Sequence, residues 1–214
     1  MKLIDLEVKK LIDEIDSKLP APGGGSVSAL SSAIGVSLAR MVGHLTLDKK
    51  KFLSLSPEIQ FEFKDVHNSL IVMKNQLIEL IDHDTDAFNL IMSAYQLPKV
   101  TEAEIKIRNE KIQEATLGAI MVPVKVASLS LSAMKNLDFI LLYGNKQAIS
   151  DLGVAALSLA TGIEGACLNI LINLPGLDDQ MAASQYKIQA LDYIQKAHTK
   201  KDEFLKQIYD KMNV

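Results

Sequence analysis

Apolar residues recur every three or four positions along almost the whole chain, which is the spacing of one face of an α-helix. Alternation of apolar and polar positions, the pattern of a half-buried strand, is hard to find. The pattern therefore predicts an all-α protein, an up-and-down bundle of long helices joined by short loops. The apolar faces are broader than one small bundle can hide, so we expect the bundle to be dimeric.

Start and stop signals divide this pattern into six helices. Ser26 is expected to cap the second helix, Ser56 the third and Asp178 the sixth, and a capping box at Thr101 starts the fourth. The predicted helices cover about residues 3–18, 26–46, 57–96, 102–143, 146–173 and 179–212. The third would reach roughly 60 Å at about 1.5 Å per residue, so we expect it to bridge subunits or to kink. Pro123 should bend the fourth helix.

The composition limits the class of protein. The chain has 214 residues and no linker rich in proline, glycine or serine, so we expect one helical domain over residues 1–214. Its 23 basic and 26 acidic residues are intermixed and give a net charge of −3, which does not point to nucleic acid. No apolar leader and no uninterrupted span suited to a bilayer is evident, so we expect no membrane partner. The single cysteine, Cys167, favours a buried thiol in a reducing, cytoplasmic setting.

A loop rich in proline and glycine, residues 19–26, separates the first two predicted helices. Its three glycines, Gly23, Gly24 and Gly25, admit positive φ and let the main chain approach a ligand closely. With Ser26 as the cap, free backbone N–H groups at the start of the second helix would lie beside them and suit an anion. The alternative is a mobile turn between two helices.

The third predicted helix carries an acidic residue on its apolar face. Leu70, Leu77, Asp84 and Ile91 follow one another at intervals of seven residues. An ionised carboxylate there is costly unless it is paired or hydrated, and burial moves its pKa toward values that suit proton transfer. Asp84 is therefore a catalytic candidate, with a structural carboxylate as the alternative. Asp82 projects away from it and is expected to be solvated or to hold a neighbouring segment, and it is also a candidate for substrate binding.

Several of these motifs together resemble one enzyme family. The matching stretches are Pro22-Gly23-Gly24-Gly25-Ser26 with its continuation to Thr46, Asp82-His83-Asp84-Thr85-Asp86-Ala87-Phe88, and Leu97-Pro98-Lys99. They are similar to those of the formimidoyltetrahydrofolate cyclodeaminase and methenyltetrahydrofolate cyclohydrolase family. In that family the aspartate that matches Asp84 is the one assigned to catalysis. Further matches at 122–124, 144–151 and 165–174 extend the resemblance over most of the chain.

The resemblance adds candidates for substrate binding. Asn145 and Asp151 lie in one matching stretch, and the capping of a helix is their alternative role. Asn169 lies among leucines and isoleucines, where its amide needs a partner from a ligand or from a facing helix. Lys99 and Arg108 are candidates for anchoring the glutamate tail of a folate, as are the lysines at 49–51, with a solvated surface as the alternative. Family members commonly have a Gly-Lys pair where this chain has Asp48-Lys49, so the tail contacts there can differ.

The resemblance implies a reaction at the one-carbon bridge of tetrahydrofolate. The predicted activity is formimidoyltetrahydrofolate cyclodeaminase, which converts 5-formiminotetrahydrofolate to 5,10-methenyltetrahydrofolate and releases ammonia, with Asp84 as the acid and base. One alternative is a methenyltetrahydrofolate cyclohydrolase, and another is a noncatalytic helical dimer that binds folate or acts as a scaffold. We expect no metal and no cofactor beyond the folate substrate, which we expect to be polyglutamylated.

Overall fold

The computed structural model describes residues 2–213, which are helical throughout apart from short connections and contain no strand. Eight α-helices follow one another as α1 (Val8–Ile15), α2 (Gly24–Leu47), α3 (Lys50–Leu53), α4 (Pro57–Tyr95), α5 (Glu102–Lys135), α6 (Leu137–Tyr143), α7 (Ile149–Asn173) and α8 (Gln180–Met212). Short 3-10 turns cover Leu3–Asp5, Lys146–Ala148 and Leu174–Gly176. The predicted all-α fold is confirmed.

The five long helices run alternately up and down. Gly25 of α2 packs against Asp84 of α4, whereas Gly43 packs against His67, so these two helices are antiparallel. α7 lies at the centre, in contact with α2, α5 and α8. This arrangement confirms the predicted up-and-down bundle, and its shared apolar core lies around α7.

Small residues let α2 and α7 approach closely. A β-carbon at Gly162 would overlap the Ser32 side chain, and one at Gly35 would lie 2.8 Å from Leu159. The Ser130 hydroxyl of α5 donates to Ser32 Oγ at 2.7 Å and joins a third helix to this seam. Because α2 and α7 are antiparallel along this seam, the start of α2 lies beside the end of α7.

Helix boundaries follow the sequence signals in the middle of the chain. Ser56 Oγ accepts from the Ile59 N–H at 3.4 Å, and Thr101 forms the predicted capping box with Glu104. α4 continues for 39 residues without interruption. α5 likewise continues through Pro123, and its bend stays a prediction.

The two ends of the chain differ from prediction. The prediction of one helix over residues 3–18 is wrong. Leu3–Asp5 form a 3-10 turn, in which the Leu3 N–H donates to Asp82 Oδ1 at 2.6 Å, and only α1 is α-helical. The cap of α8 is Asp179, whose Oδ1 accepts two backbone N–H groups at 3.0 Å. Asp178, predicted as the cap, instead donates its N–H to Gln113 Oε1 at 2.8 Å.

Three segments are long and apolar enough, by length and composition, to cross a membrane: Gly24–Leu47, Glu102–Tyr143 and Lys146–Gly176. The expectation that no span would suit a bilayer is therefore wrong. In the bundle, 61%, 50% and 50% of their most apolar windows are buried, because they are the helices that pack against one another.

Candidate functional site

Asp84 lies beneath the first turn of α2. Gly23 is the N-cap and α2 begins at Gly24, so the prediction that Ser26 caps this helix is wrong. Ser26 falls in the first turn instead, and its hydroxyl donates to Asp84 Oδ2 at 3.1 Å. The free N–H groups and the positive end of the α2 dipole are thereby directed toward a carboxyl group from α4.

The glycine loop brings its main chain against this carboxyl group. A β-carbon at Gly25 would overlap the Asp84 carboxylate. Among residues 2–213, no glycine has a positive φ, so the loop does not use the left-handed conformations that its glycines admit. Gly25 is needed because any side chain would occupy the space of Asp84.

Burial raises the pKa of Asp84, and this effect exceeds the opposing hydrogen bonds from the hydroxyl and backbone N–H of Ser26. The cause is the loss of water around a carboxyl group on the core face of α4. A carboxyl group with a raised pKa holds its proton closer to neutral pH than an exposed aspartate does. The site can therefore give up and take back a proton.

Thr85 extends the hydrogen-bonded group, and sequence reasoning missed it. Its Oγ1 lies 3.2 Å from Ser26 Oγ, so the two hydroxyls share a hydrogen bond beside Asp84. Position 85 lies off the apolar face of α4, so helical spacing does not distinguish it, although the stretch at 82–88 that carries the family resemblance includes it.

Asn169 reaches the same end of the bundle through the antiparallel packing of α7 on α2. A β-carbon at Gly24 would lie 3.3 Å from its Nδ2. That Nδ2 donates to the Gly165 carbonyl at 2.8 Å, so the partner of this amide is a carbonyl of its own helix and not the ligand or facing helix that the sequence suggested. Gly24, Gly25, Ser26, Asp84 and Asn169 thus come together.

Asp82 faces away from this group. It accepts the Leu3 N–H and fixes the start of the chain against α4, as one of its two expected roles. Its Oδ2 is buried and has no hydrogen-bond partner among the described residues. The structure therefore joins Asp82 to the N-terminal segment.

Lys99 and Arg108 lie beyond the end of α4. Arg108 donates to the Tyr95 carbonyl at 3.3 Å, and its guanidinium lies 5.4 Å from the centre of the Tyr95 ring. Tyr95 is eleven residues from Asp84, or about 16 Å along the helix. Arg108 closes the α4–α5 turn, and Lys99 is exposed on that turn.

Asn145 and Asp151 lie at the opposite end of the bundle. The Asn145 N–H donates to Thr46 Oγ1 at 2.9 Å, near the end of α2, and Asp151 is in the first turn of α7. Thr46 is about 30 Å along α2 from Ser26. Within one chain, these two candidates and Asp84 cannot line one pocket. Asn145 Oδ1 also accepts the Gln147 N–H at 3.1 Å, which is the capping role named as its alternative.

A cavity of about 510 Å³ lies between α4 and α5 and begins one turn beyond Asp84. Its lining is Ala87, Leu90, Ser93, Ala94, Leu97, Lys111, Glu114, Ala115 and Gly118. The cavity is largely apolar and carries the exposed ion pair Lys111–Glu114, 2.6 Å long. In the described part of the chain, no three His, Cys, Asp or Glu residues are grouped to hold a metal ion.

The chain is similar to known proteins in sequence and in fold. A methenyltetrahydrofolate cyclohydrolase from Methylorubrum extorquens is 36% identical over 178 residues, 83% of this chain and 84% of that protein. The formimidoyltransferase-cyclodeaminase of Rattus norvegicus is 34% identical over 197 residues, 92% of this chain but 36% of that protein. A formiminotetrahydrofolate cyclodeaminase structure from Thermotoga maritima has the same fold, with a TM-score of 0.77, 23% identity and coverage of 98% and 96% of the two chains. Since residues 7–192 also match the family model described as formiminotransferase-cyclodeaminase, the chain belongs to that family.

Proposed function

We propose that the protein is an enzyme of folate one-carbon metabolism that converts 5-formiminotetrahydrofolate to 5,10-methenyltetrahydrofolate and ammonia. The membership of the family supports the class of reaction. The observation that carries the proposal is the placement of Asp84, a partly buried carboxyl group with a raised pKa under the glycine-rich start of α2.

The reaction needs a proton moved between two nitrogens. N10 of the folate attacks the carbon of the protonated formimino group on N5 (N5–CH=NH2⁺), a C–N bond forms, and the N10 proton must leave. Asp84 takes this proton and delivers it to the formimino nitrogen, whose bond to carbon then breaks as ammonia departs. Its raised pKa suits both steps, since a strongly acidic carboxyl group would not return the proton.

Contacts around Asp84 offset part of the cost of ionising it. The ionised form accepts the Ser26 hydroxyl and faces the positive end of α2. In the proposed complex, the ionised carboxylate of Asp84 also stabilises the positive charge on the amidine carbon of the substrate. We assign the flat rings of the folate to the apolar cavity that begins at Ala87, because alanine and leucine side chains line it.

Methenyltetrahydrofolate cyclohydrolase activity is the second candidate. The relative from Methylorubrum extorquens carries that name and matches over 84% of its own length, which favours this activity. Water then attacks the carbon of the methenyl bridge, and Asp84 accepts a proton from it. The carbinolamine that results opens as one of its two C–N bonds breaks, the hydroxyl loses its proton and the released nitrogen takes one up, which leaves a formyl group on the other nitrogen. Both reactions use the same residues.

The test follows the absorbance of methenyltetrahydrofolate with each substrate in turn. Appearance of the band from 5-formiminotetrahydrofolate identifies the cyclodeaminase, and its decay above the buffer rate identifies the cyclohydrolase. Asp84→Asn should lower kcat by about 10²–10⁴-fold. Asp86→Asn, exposed two residues away on the same helix, is the matched control and should retain activity. No turnover of either compound by the wild-type protein would leave the noncatalytic folate-binding or scaffold alternative.

We also propose that the protein is a cytoplasmic homodimer. α1 has no buried residue, and its Val8 and Ile12 are 75% and 58% exposed, which supports a covering partner. Light scattering after size exclusion tests this: a mass of one chain would contradict it.

A further inference from the structure

A polar cavity of about 680 Å³ lies between the N-terminal segment and α4, and it shares no lining residue with the apolar cavity. Thr85 lines this polar cavity, whereas Asp84 does not. The lining also includes Asp5, Glu79 and His83, which are exposed and can accept or release a proton. A polar space of this size is large enough for several water molecules. We call it the acidic cavity.

Two hydroxyl groups connect Asp84 to the acidic cavity. The Ser26 Oγ lies 3.1 Å from Asp84 Oδ2 and 3.2 Å from Thr85 Oγ1. A hydroxyl group carries a single hydrogen, so while Ser26 donates to the ionised carboxylate, Thr85 must donate to Ser26. Ser26 is 2% exposed, which keeps bulk water away from this contact. The hydrogen bonds therefore run in one direction, from Thr85 through Ser26 to Asp84.

This direction reverses when Asp84 is protonated. Its O–H then donates to Ser26 Oγ, the Ser26 hydroxyl donates to Thr85 Oγ1, and the Thr85 hydroxyl donates to water in the acidic cavity. To pass from this arrangement to the first, Asp84 gives its proton to Ser26, Ser26 gives its own to Thr85, and Thr85 gives its own to water. Both hydroxyls end with one hydrogen each, Asp84 becomes negative and the water becomes positive. One proton thus leaves Asp84 for the cavity.

We propose that Ser26 and Thr85 form a proton relay between Asp84 and the acidic cavity, with Thr85 as a positioning residue that acts on Asp84 through Ser26. The use of the relay in catalysis rests on the proposed function. Hydrolysis of the methenyl bridge leaves one proton on Asp84 in each turnover, and the relay returns this proton to water. Cyclodeamination leaves none, because the proton that Asp84 takes from N10 departs with ammonia. The relay therefore serves the hydrolysis.

Infrared spectroscopy after a rapid pH jump tests the relay without substrate. The C=O stretch of protonated Asp84 is identified by its absence from Asp84→Asn. We expect Thr85→Val, which keeps the shape of the side chain and removes the hydroxyl, to slow the exchange of this proton by about tenfold or more. Ser26→Ala interrupts the relay at its middle and should slow the exchange likewise.

Two further variants are the controls for this measurement. Thr85→Ser restores the hydroxyl, and Thr199→Val removes one from an exposed position on α8. Both should exchange the proton at the wild-type rate. Equal rates in the wild type and Thr85→Val overturn the proposal, as does a wild type in which no such band titrates.

Kinetics test the use of the relay in catalysis. Thr85→Val should lower kcat for hydrolysis of methenyltetrahydrofolate by about tenfold, and imidazole in the buffer should restore part of the loss, because a small base can take the proton instead. The kcat for 5-formiminotetrahydrofolate should not change. A loss of kcat that imidazole does not restore, or an equal loss with both substrates, overturns this use. Because the infrared measurement requires no turnover, failure of the proposed enzyme activity and failure of the relay are separate results.

Discussion

Gly25 and Asp84 meet so closely that a β-carbon at position 25 would overlap the carboxylate. The contact joins the first turn of α2 to the middle of α4. It explains why the first turn of α2 contains a glycine at position 25: the requirement is space for a carboxyl group, since no positive φ occurs there. Changes at either residue should therefore affect the other.

Gly25→Ala should reduce both stability and turnover. The overlap displaces Asp84, whose carboxyl group Ser26 holds in place. We expect a loss of about 1–3 kcal/mol in the free energy of unfolding and about 10²-fold in kcat/KM. Urea unfolding measures the free energy of unfolding, and the absorbance assay measures kcat/KM. Gly153→Ala is the control, because its added carbon meets only ordinary contacts, 3.5 Å from Ile208. Wild-type activity in Gly25→Ala would contradict the close contact.

Asp84→Asn should stabilise the protein at neutral pH. The folded-state pKa of Asp84 is raised above its ordinary value of 3.8, so the folded protein binds this proton more tightly than the unfolded chain. Stability is therefore lost as pH rises from about the unfolded pKa through the raised folded pKa. The variant removes this loss, and its melting temperature should exceed that of the wild type at neutral pH and approach it in acid. An equal difference at all pH values, measured by circular dichroism, would contradict this origin.

Ser26→Ala should move the pH dependence of activity. The Ser26 hydroxyl stabilises the ionised form of Asp84, so its removal raises the pKa of that carboxyl group further. The acidic limb of the profile of kcat/KM against pH is expected to shift to higher pH. Ser26→Thr restores a hydroxyl and should return the limb toward the wild type. A fall in activity with an unmoved limb would indicate a purely structural role for Ser26.

Gly162→Ala should open the seam between α2 and α7. Its added carbon would meet the Ser32 side chain and the Ser28 carbonyl, and Ser32 is already held by the Ser130 hydroxyl. We expect a cost of about 1–3 kcal/mol, seen as a lower urea midpoint with an unchanged slope. Gly153→Ala on the same helix meets only ordinary contacts, 3.5 Å from Ile208, and should not destabilise the protein. Equal midpoints for the two variants would disprove the tight seam.

Cys167 should be unreactive in the folded protein. It is fully buried, and burial raises the pKa of its thiol to about 12, so little thiolate forms near neutral pH. A thiol reagent should label it only after unfolding in urea. Rapid labelling of the native protein would contradict this, because it would show that the packing around α7 opens readily and exposes the thiol.

Local signals in the sequence determined much of the fold. The three- and four-residue spacing predicted the long helices, and caps such as Ser56 and the Thr101 box located their starts correctly, because a cap depends on residues three positions apart. The ends of the chain were predicted less well. The Leu3 N–H donates to Asp82, which is 79 residues away in the sequence, and no local pattern indicates a contact between residues so far apart.

The sequence by itself determined the all-α class, the carboxyl group on the apolar face of α4 and the glycine-rich start of α2. Each depends on side-chain type and on helical spacing, which the order of residues fixes. Only the tertiary structure decided which candidates share a site. Antiparallel packing brings Asn169 to Gly24 and leaves Asn145 at the other end of the bundle, about 30 Å away along α2. That separation arises from the direction in which each helix crosses the bundle, and packing of distant segments sets that direction.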